Sequence, residues 1–279
     1  ASDVYKRQLV LFSLITVGYS ANALGGAGGP LAVLIIAIVA AELGKAVSKE
    51  TKVDILVTPL VTIFAGVGLS MLIAAPIGAA ASQVGTLIMW ATEQAPLVMG
   101  ILVSVIVGVA LTLPISSAAI CAALGLTGLA GGAAVAGCCA QMVGFAVMSY
   151  KENGVGGLVS QGLGTSMLQM GNIVKNPRIW IAPTLASAIT GPLATCLFHF
   201  EMNGAAVSSG MGTCGLVGQI GVYTGWVSDI AAGTKAAITP MDWAAMVLLC
   251  FVLPAMLSVV FCEVERKLGW IKDGDLKLN

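Results

Sequence analysis

Charge is what this sequence has least of: 13 basic and 13 acidic side chains and a single histidine are spread over 279 residues. That scarcity excludes a cationic face for nucleic acid and an acidic interaction tail. No GxxxxGKS phosphate-binding loop occurs, so the chain is not expected to consume nucleotide itself. The seven cysteines form no CxxC pair. Most sit inside apolar runs, with Cys138 and Cys139 adjacent, and they read as small packing residues rather than as disulfides or metal ligands. Neither a metal nor another cofactor is expected.

Apolar side chain is what remains. Hydrophobic residues make up 58% of the sequence and the mean hydropathy is +0.98, more than a soluble domain of this length can bury. The expected fold class is an all-α polytopic membrane protein, crossing the bilayer several times, with roughly 7 to 10 membrane segments counting re-entrant hairpins.

Along the chain, residues 1–8, ASDVYKRQ, read as a cloning scar, with the natural amino terminus expected upstream. Residues 9–262 then form one transmembrane domain, and 263–279 a short polar tail. Residues 9–24 and 31–43 are each short of the ~20 needed to cross a bilayer core and are separated by GGAGGP, giving either a truncated and a broken span or one interrupted hairpin. The loop 44–54 carries Lys45, Lys49 and Lys52, which places it in the cytoplasm, and the basic tail on the same side. A span is expected over 55–77. The next stretch, with Trp90, Glu93 and Gln94, is too polar to cross and reads as interfacial or re-entrant. Pro96 to Pro114 is a clean span. It is followed by ISSAAICAALGLTGLAGG, apolar but rich in glycine and serine, which reads as a re-entrant hairpin because non-helical backbone at membrane depth must be covered by protein or line a cavity. Spans over 130–150, 178–200 and 243–262 complete the set, and 203–218 is expected to be re-entrant like 115–128.

Two stretches share a spelling. Ser82, Gln83, Gly85, Thr86 and Met89 in one match Ser160, Gln161, Gly164, Thr165 and Met167 in the other. Each leads through a proline into a span and then into paired serines, Ser116 and Ser117 or Ser208 and Ser209. An internal duplication is one explanation, and transporters often place their site where two repeats meet at interrupted helices. Chance similarity in small-residue-rich sequence is the other.

The segment HFEMNGAAVSSGMGTCGL, 199–216, holds the lone histidine and a glutamate two positions on. On a helix His199 and Glu201 point to different faces, whereas in extended backbone they share one. Convergence therefore requires the preceding helix to end near Phe200. The alternative is an interfacial histidine beside a solvated carboxylate.

The run from about 58 to 226, above all LTLPISSAAICAALGLTGLAGGAAVAGCCAQMVGFAVMSY, VSQGLGTSMLQMGNIVKNPRIWI and MNGAAVSSGMGTCGLVG, resembles the membrane-embedded IIC permeases of the phosphoenolpyruvate-dependent sugar phosphotransferase system. More narrowly it resembles the branch of PfoR-type toxin regulators. The resemblance implies a multi-pass protein of the bacterial inner membrane that holds a sugar at re-entrant hairpins while a separate IIB subunit supplies a phosphoryl group. Its implied partners are the sugar, IIA and IIB subunits, the lipid bilayer and a second copy of the chain, with no nucleic acid. Glu201 would be the catalytic group that positions the attacking hydroxyl, with His199 beside it on the sugar, although Met202 stands where better-known permeases follow their glutamate with proline. By residue chemistry, sugar hydroxyls need acceptors and donors such as Glu201, Asn203 and Gln141. Ser116, Ser117, Ser208, Ser209 and Glu93 complete the candidate ligands. A non-transporting membrane sensor on the same fold and an ion-coupled transporter using Glu93 and Glu201 are the alternatives.

Overall fold

The structure is a computed structural model that describes residues 2–25, 29–47, 54–113 and 115–278. Among these, helices account for the regular structure and no strand occurs. Four helical stretches are long and apolar enough to cross a membrane, 56–94, 128–148, 177–197 and 240–267, and a shorter apolar helix covers 96–112. The all-α membrane class expected from composition is the one observed.

The chain divides into two compact units, Ala1–Thr86 with Ala122–Gly125, and Leu87–Cys121 with Leu126–Asn279. In the first, α1 (Ser2–Gly25), α2 (Gly29–Val47) and α3 (Asp54–Leu69) pack on one another. Val17, Ala21, Ala32, Ile36, Ala40 and Ala74 form their core. The separator GGAGGP thus falls between two helices, with 26–28 outside the described residues. Most of the expected cytoplasmic loop lies outside them as well, since 48–53 are not described.

After α3 comes a wide π turn, Ser70–Ala74, and then α4 (Ala75–Gln94). The stretch after residue 77, expected to be an interfacial or re-entrant helix, is helical and continuous with the span before it. Ser82, Thr86 and Thr92 donate to the carbonyls of Gly78, Ser82 and Ile88 at 3.0, 2.9 and 2.7 Å, so their hydroxyls are satisfied within the helix itself. At 1.5 Å per residue, the 39 residues from Leu56 to Gln94 reach about 58 Å along their contour, roughly twice the hydrocarbon thickness.

The second unit is built around α7. After α5 (Pro96–Thr112) and the short α6 (Ser117–Leu124), α7 (Gly128–Met148) runs through the middle, with 94% of its apolar window buried. Around it pack α5, α10 (Ile181–Pro192) and α13 (Leu253–Lys267). Between α7 and α10 lie α8 (Tyr150–Val159), broken by Gly154 at φ +58, and α9 (Met170–Lys175). Between α10 and α13 lie α11 (Val217–Ala231) and α12 (Pro240–Val247). Small residues let the axes approach: an added Cβ at Gly108 would lie 2.8 Å from the Gly137 carbonyl oxygen, the close packing that substitutes for hydrophobic drive inside a bilayer.

Hydroxyls and one carboxamide stitch these helices together. Ser104 donates to the Ser187 carbonyl at 2.8 Å and Ser187 Oγ to the Gly137 carbonyl at 3.2 Å. One level along, buried Gln141 accepts from Trp180 Nε1 at 2.9 Å and from Thr112 Oγ1 at 3.3 Å. Its own amide donates to Thr184 Oγ1 at 3.3 Å. Gln141 is therefore consumed by interhelical bonds. The Ser-Gln and Gly-Thr spelling also separates here: in α4 it lies on regular helix, whereas Ser160–Gly164 is a π turn that breaks at extended Thr165. The two stretches share letters but not local backbone.

The Gln141 network generates a prediction. Gln141→Leu removes the acceptor of the part-buried Trp180 indole N–H and the partner of the Thr112 and Thr184 hydroxyls, which should cost about 1–3 kcal/mol. Thermal unfolding in detergent should show a clear drop in Tm. An unchanged Tm would mean that the network contributes no stability.

Candidate functional site

The helix that begins at α10 ends where convergence of His199 and Glu201 requires it to end. Pro192 supplies no N–H to the ladder. The following turn, Leu193–Leu197, widens to π geometry, with Phe198 N donating to the Leu193 carbonyl at 3.0 Å and Phe200 N to that of Ala194 at 2.8 Å. His199 then takes a left-handed conformation, φ +43, and the chain leaves the helix. Residues 200–203 are extended. Met202 pairs with Gly128, at the start of α7, through two reciprocal backbone bonds of 3.0 Å.

Extended backbone sends alternate side chains to opposite sides. Phe200 and Met202 are buried in an apolar cluster with Val135, Val222 and Leu249. Glu201 and Asn203 line a cavity of about 510 Å³, as does His199. Two glycines make room for this segment. A Cβ at Gly132 of α7 would overlap the Phe200 carbonyl, and one at Gly225 of α11 would sit 2.8 Å from the backbone nitrogens of Asn203 and Gly204.

The opposite wall comes from α11, the turn after it and α12. Asn203 Nδ2 donates to Glu201 Oε2 at 3.1 Å and to Asp229 Oδ2 at 2.9 Å, so one carboxamide nitrogen holds two carboxylates. Thr234 and Lys235 donate their backbone N–H groups to the Asp229 carbonyl at 2.9 and 3.2 Å, which folds the turn back over the cavity. Lys235 Nζ reaches Asp242 Oδ1 at 2.8 Å and lies 5.7 Å from the centre of the Trp226 ring. Asp242 is further committed to a capping box with Thr239 at the start of α12. Trp226 meets Trp243 edge to face at 5.6 Å. The cavity thus brings an aromatic ring, acceptors and donors together around one concave surface.

Of the candidate residues, the structure gathers His199, Glu201 and Asn203 and leaves the others outside the cavity wall. Gln141 is spent between helices. Ser117 donates to the Gly210 carbonyl and Ser209 to that of Leu126, both at 2.7 Å. These two serines pin the two small-residue stretches to each other, and Ser208 is buried in the same region. Ser116 is exposed and caps the start of α6 by accepting from Ala119 N at 3.1 Å. Glu93 is exposed near the end of α4. Neither 115–128 nor 203–218 is a continuous helix: the first holds the eight residues of α6, and the second holds two short 3₁₀ turns. Sequence reasoning missed Trp226, Asp229, Lys235 and Asp242. Their signal was present as three charges between two apolar runs and as Thr-Pro-Met-Asp, a helix-start signature.

The sequence profile of the family described as Phosphotransferase system, EIIC matches residues 8–278. The chain belongs to that family and is a membrane permease component of the phosphotransferase system, working with the system's other components. Comparison with curated proteins and with solved structures returns no match.

The close approach at α7 gives a second prediction. Gly132→Val should push the 199–203 segment out of place and destabilise the fold by about 1–3 kcal/mol, whereas Gly171→Val, where an added Cβ meets nothing within 4 Å, should leave Tm nearly unchanged. Equal Tm values for the two would remove the argument that backbone contact at Gly132 positions the cavity wall.

Proposed function

We propose that the cavity formed by His199, Glu201, Asn203, Trp226, Asp229 and Lys235 is the sugar site of a phosphotransferase permease, from which the sugar is phosphorylated by a separate IIB subunit. The observation that carries this reading is the alternation at 200–203, which turns Glu201 and Asn203 toward a cavity that His199 and Trp226 also line. Glu201 accepts sugar hydroxyls and is the group that positions the attacking hydroxyl; IIA recharges IIB, and the working unit is a homodimer in the bacterial inner membrane. The PfoR-type regulator reading differs in one measurable respect, since a sensor binds sugar without passing phosphoryl groups to it.

Charge supports an orientation. Lys151, Lys175, Arg178, Arg266, Lys267, Lys272 and Lys277 all belong to the end where α7 finishes and the tail folds back, marked by the Lys151–Glu263 pair and by Arg178 over Trp270. At the cavity end α7 starts and α12 starts, and Lys235 is the basic residue there. By the bias of basic residues toward the cytoplasm, the cavity opens outward and the tail lies inside. In this arrangement the cavity is the loading state, and phosphoryl transfer follows once the site faces the cytoplasm.

Two outcomes are expected. In a cysteine-free background, a membrane-impermeant maleimide applied to intact cells should label Ala236→Cys and fail to label Lys272→Cys; the reverse pattern overturns the orientation. Glu201→Gln should weaken sugar binding about tenfold, the low end for a charged hydrogen bond because this carboxylate is open to water. It should slow IIB-dependent phosphorylation by a further ~100-fold. Wild-type values in both assays would end the case for this cavity, and binding with no phosphorylation of the wild type would favour the sensor.

A further inference from the structure

The charges at the cavity wall do not cancel. Lys235 is paired with Asp242 at 2.8 Å, and Asp242 also takes the Thr239 backbone N–H and hydroxyl at 2.7 and 2.8 Å. Among the described residues, Glu201 and Asp229 have no such cation. Each places an oxygen against the same Asn203 nitrogen, so the two carboxylates are held no more than about 6 Å apart by a group that carries no charge, a separation at which like charges still interact strongly. Among the described residues no third histidine, cysteine or acid joins them in a metal-binding group. The wall therefore holds two acidic side chains with no basic side chain paired to them among the described residues, around a concavity with the buried Trp226 at its back.

From this we propose that the cavity sorts sugars by charge, admitting neutral and amino sugars and refusing acidic ones, with Asp229 and Glu201 as the discriminating pair. The proposal rests on the sugar-site reading above. An ammonium substituent completes the pair, a hydroxyl donates to either carboxylate, and a sugar carboxylate meets repulsion with no free counter-cation among the described residues to answer it. A phosphorylated sugar, carrying −1.5 to −2 charge, is refused more strongly still. The product of phosphoryl transfer therefore binds this cavity more weakly than the substrate in the state seen here.

The test is equilibrium binding to the full chain in lipid nanodiscs at pH 8, above the ordinary imidazole range. The probes are the gluco, galacto and manno hexoses, each with its 2-amino, uronate and 6-phosphate analogue. For whichever hexose binds, the 2-amino form should bind at least as tightly, the uronate about tenfold more weakly, and the 6-phosphate more weakly again. Raising salt from about 0.01 M to about 1 M, which shortens the Debye length from about 30 to about 3 Å, should narrow these ratios in the unaltered protein. Asp229→Asn should compress the hexose-to-uronate ratio to within about threefold. A uronate that binds the unaltered protein as well as its hexose overturns the proposal while leaving the sugar site standing, as does a ratio indifferent to both salt and Asp229→Asn. Failure of every sugar to bind sinks the underlying reading and the proposal together.

Discussion

Everything at the cavity depends on the pair of backbone hydrogen bonds between Gly128 and Met202. A single residue of antiparallel pairing fixes the register of an extended segment, and a slip by one position would exchange its two faces. Glu201 and Asn203 would then enter the apolar cluster that now holds Phe200 and Met202, an arrangement excluded by the cost of burying a carboxylate without a partner. The small residues of α7 are what make the pairing attainable, because the segment lies against the helix backbone itself, and no side chain intervenes at Gly132. Composition, register and site chemistry are thus one constraint seen at three scales.

The polar residues of this unit divide into two jobs with little overlap. Gln141, Ser104, Ser187, Ser117 and Ser209 have their hydrogen-bonding capacity taken up by neighbouring helices and carbonyls. They give direction to an interior whose apolar surfaces alone would not distinguish one helix rotation from another. The residues at the cavity wall keep capacity in reserve: Glu201 uses one oxygen, and Asn203 keeps its carbonyl. Free capacity in a concave place separates a binding residue from a structural one, and it is a property of three-dimensional placement.

That division explains what the sequence could tell. The membrane class followed from composition, the spans at 128–148, 177–197 and 240–267 from apolar length, and the convergence of His199 with Glu201 from a helix stop placed near Phe200. Gln141 and the paired serines were drawn toward the site because donors and acceptors look alike in one dimension, whether or not a neighbouring carbonyl has already claimed them. The stretch after residue 77 can continue the preceding helix for a related reason: a serine or threonine that bonds the carbonyl four residues back presents little polarity to its surroundings. Asp229, Lys235 and Asp242 went unweighed because they fall in a connecting segment, and what makes them a wall is the folding of that connection back onto Trp226.

At the far end, the terminal segment is held largely by its main chain. Asn153 and Gln169 both donate to the Leu276 carbonyl, at 2.8 and 2.9 Å, Asn172 to that of Lys277 at 3.0 Å and Asn176 to that of Trp270 at 2.9 Å. Carbonyl oxygens are common to every residue type. Evolution is therefore free to rewrite most letters of this segment while its path stays put. The constraint falls instead on the four amide side chains that grip it, on Asp275, which accepts from Asn176, and on the buried Ile271 and Leu276 that set where along the groove each carbonyl arrives. Comparison of relatives should find a variable strand of letters lying in an invariant cradle.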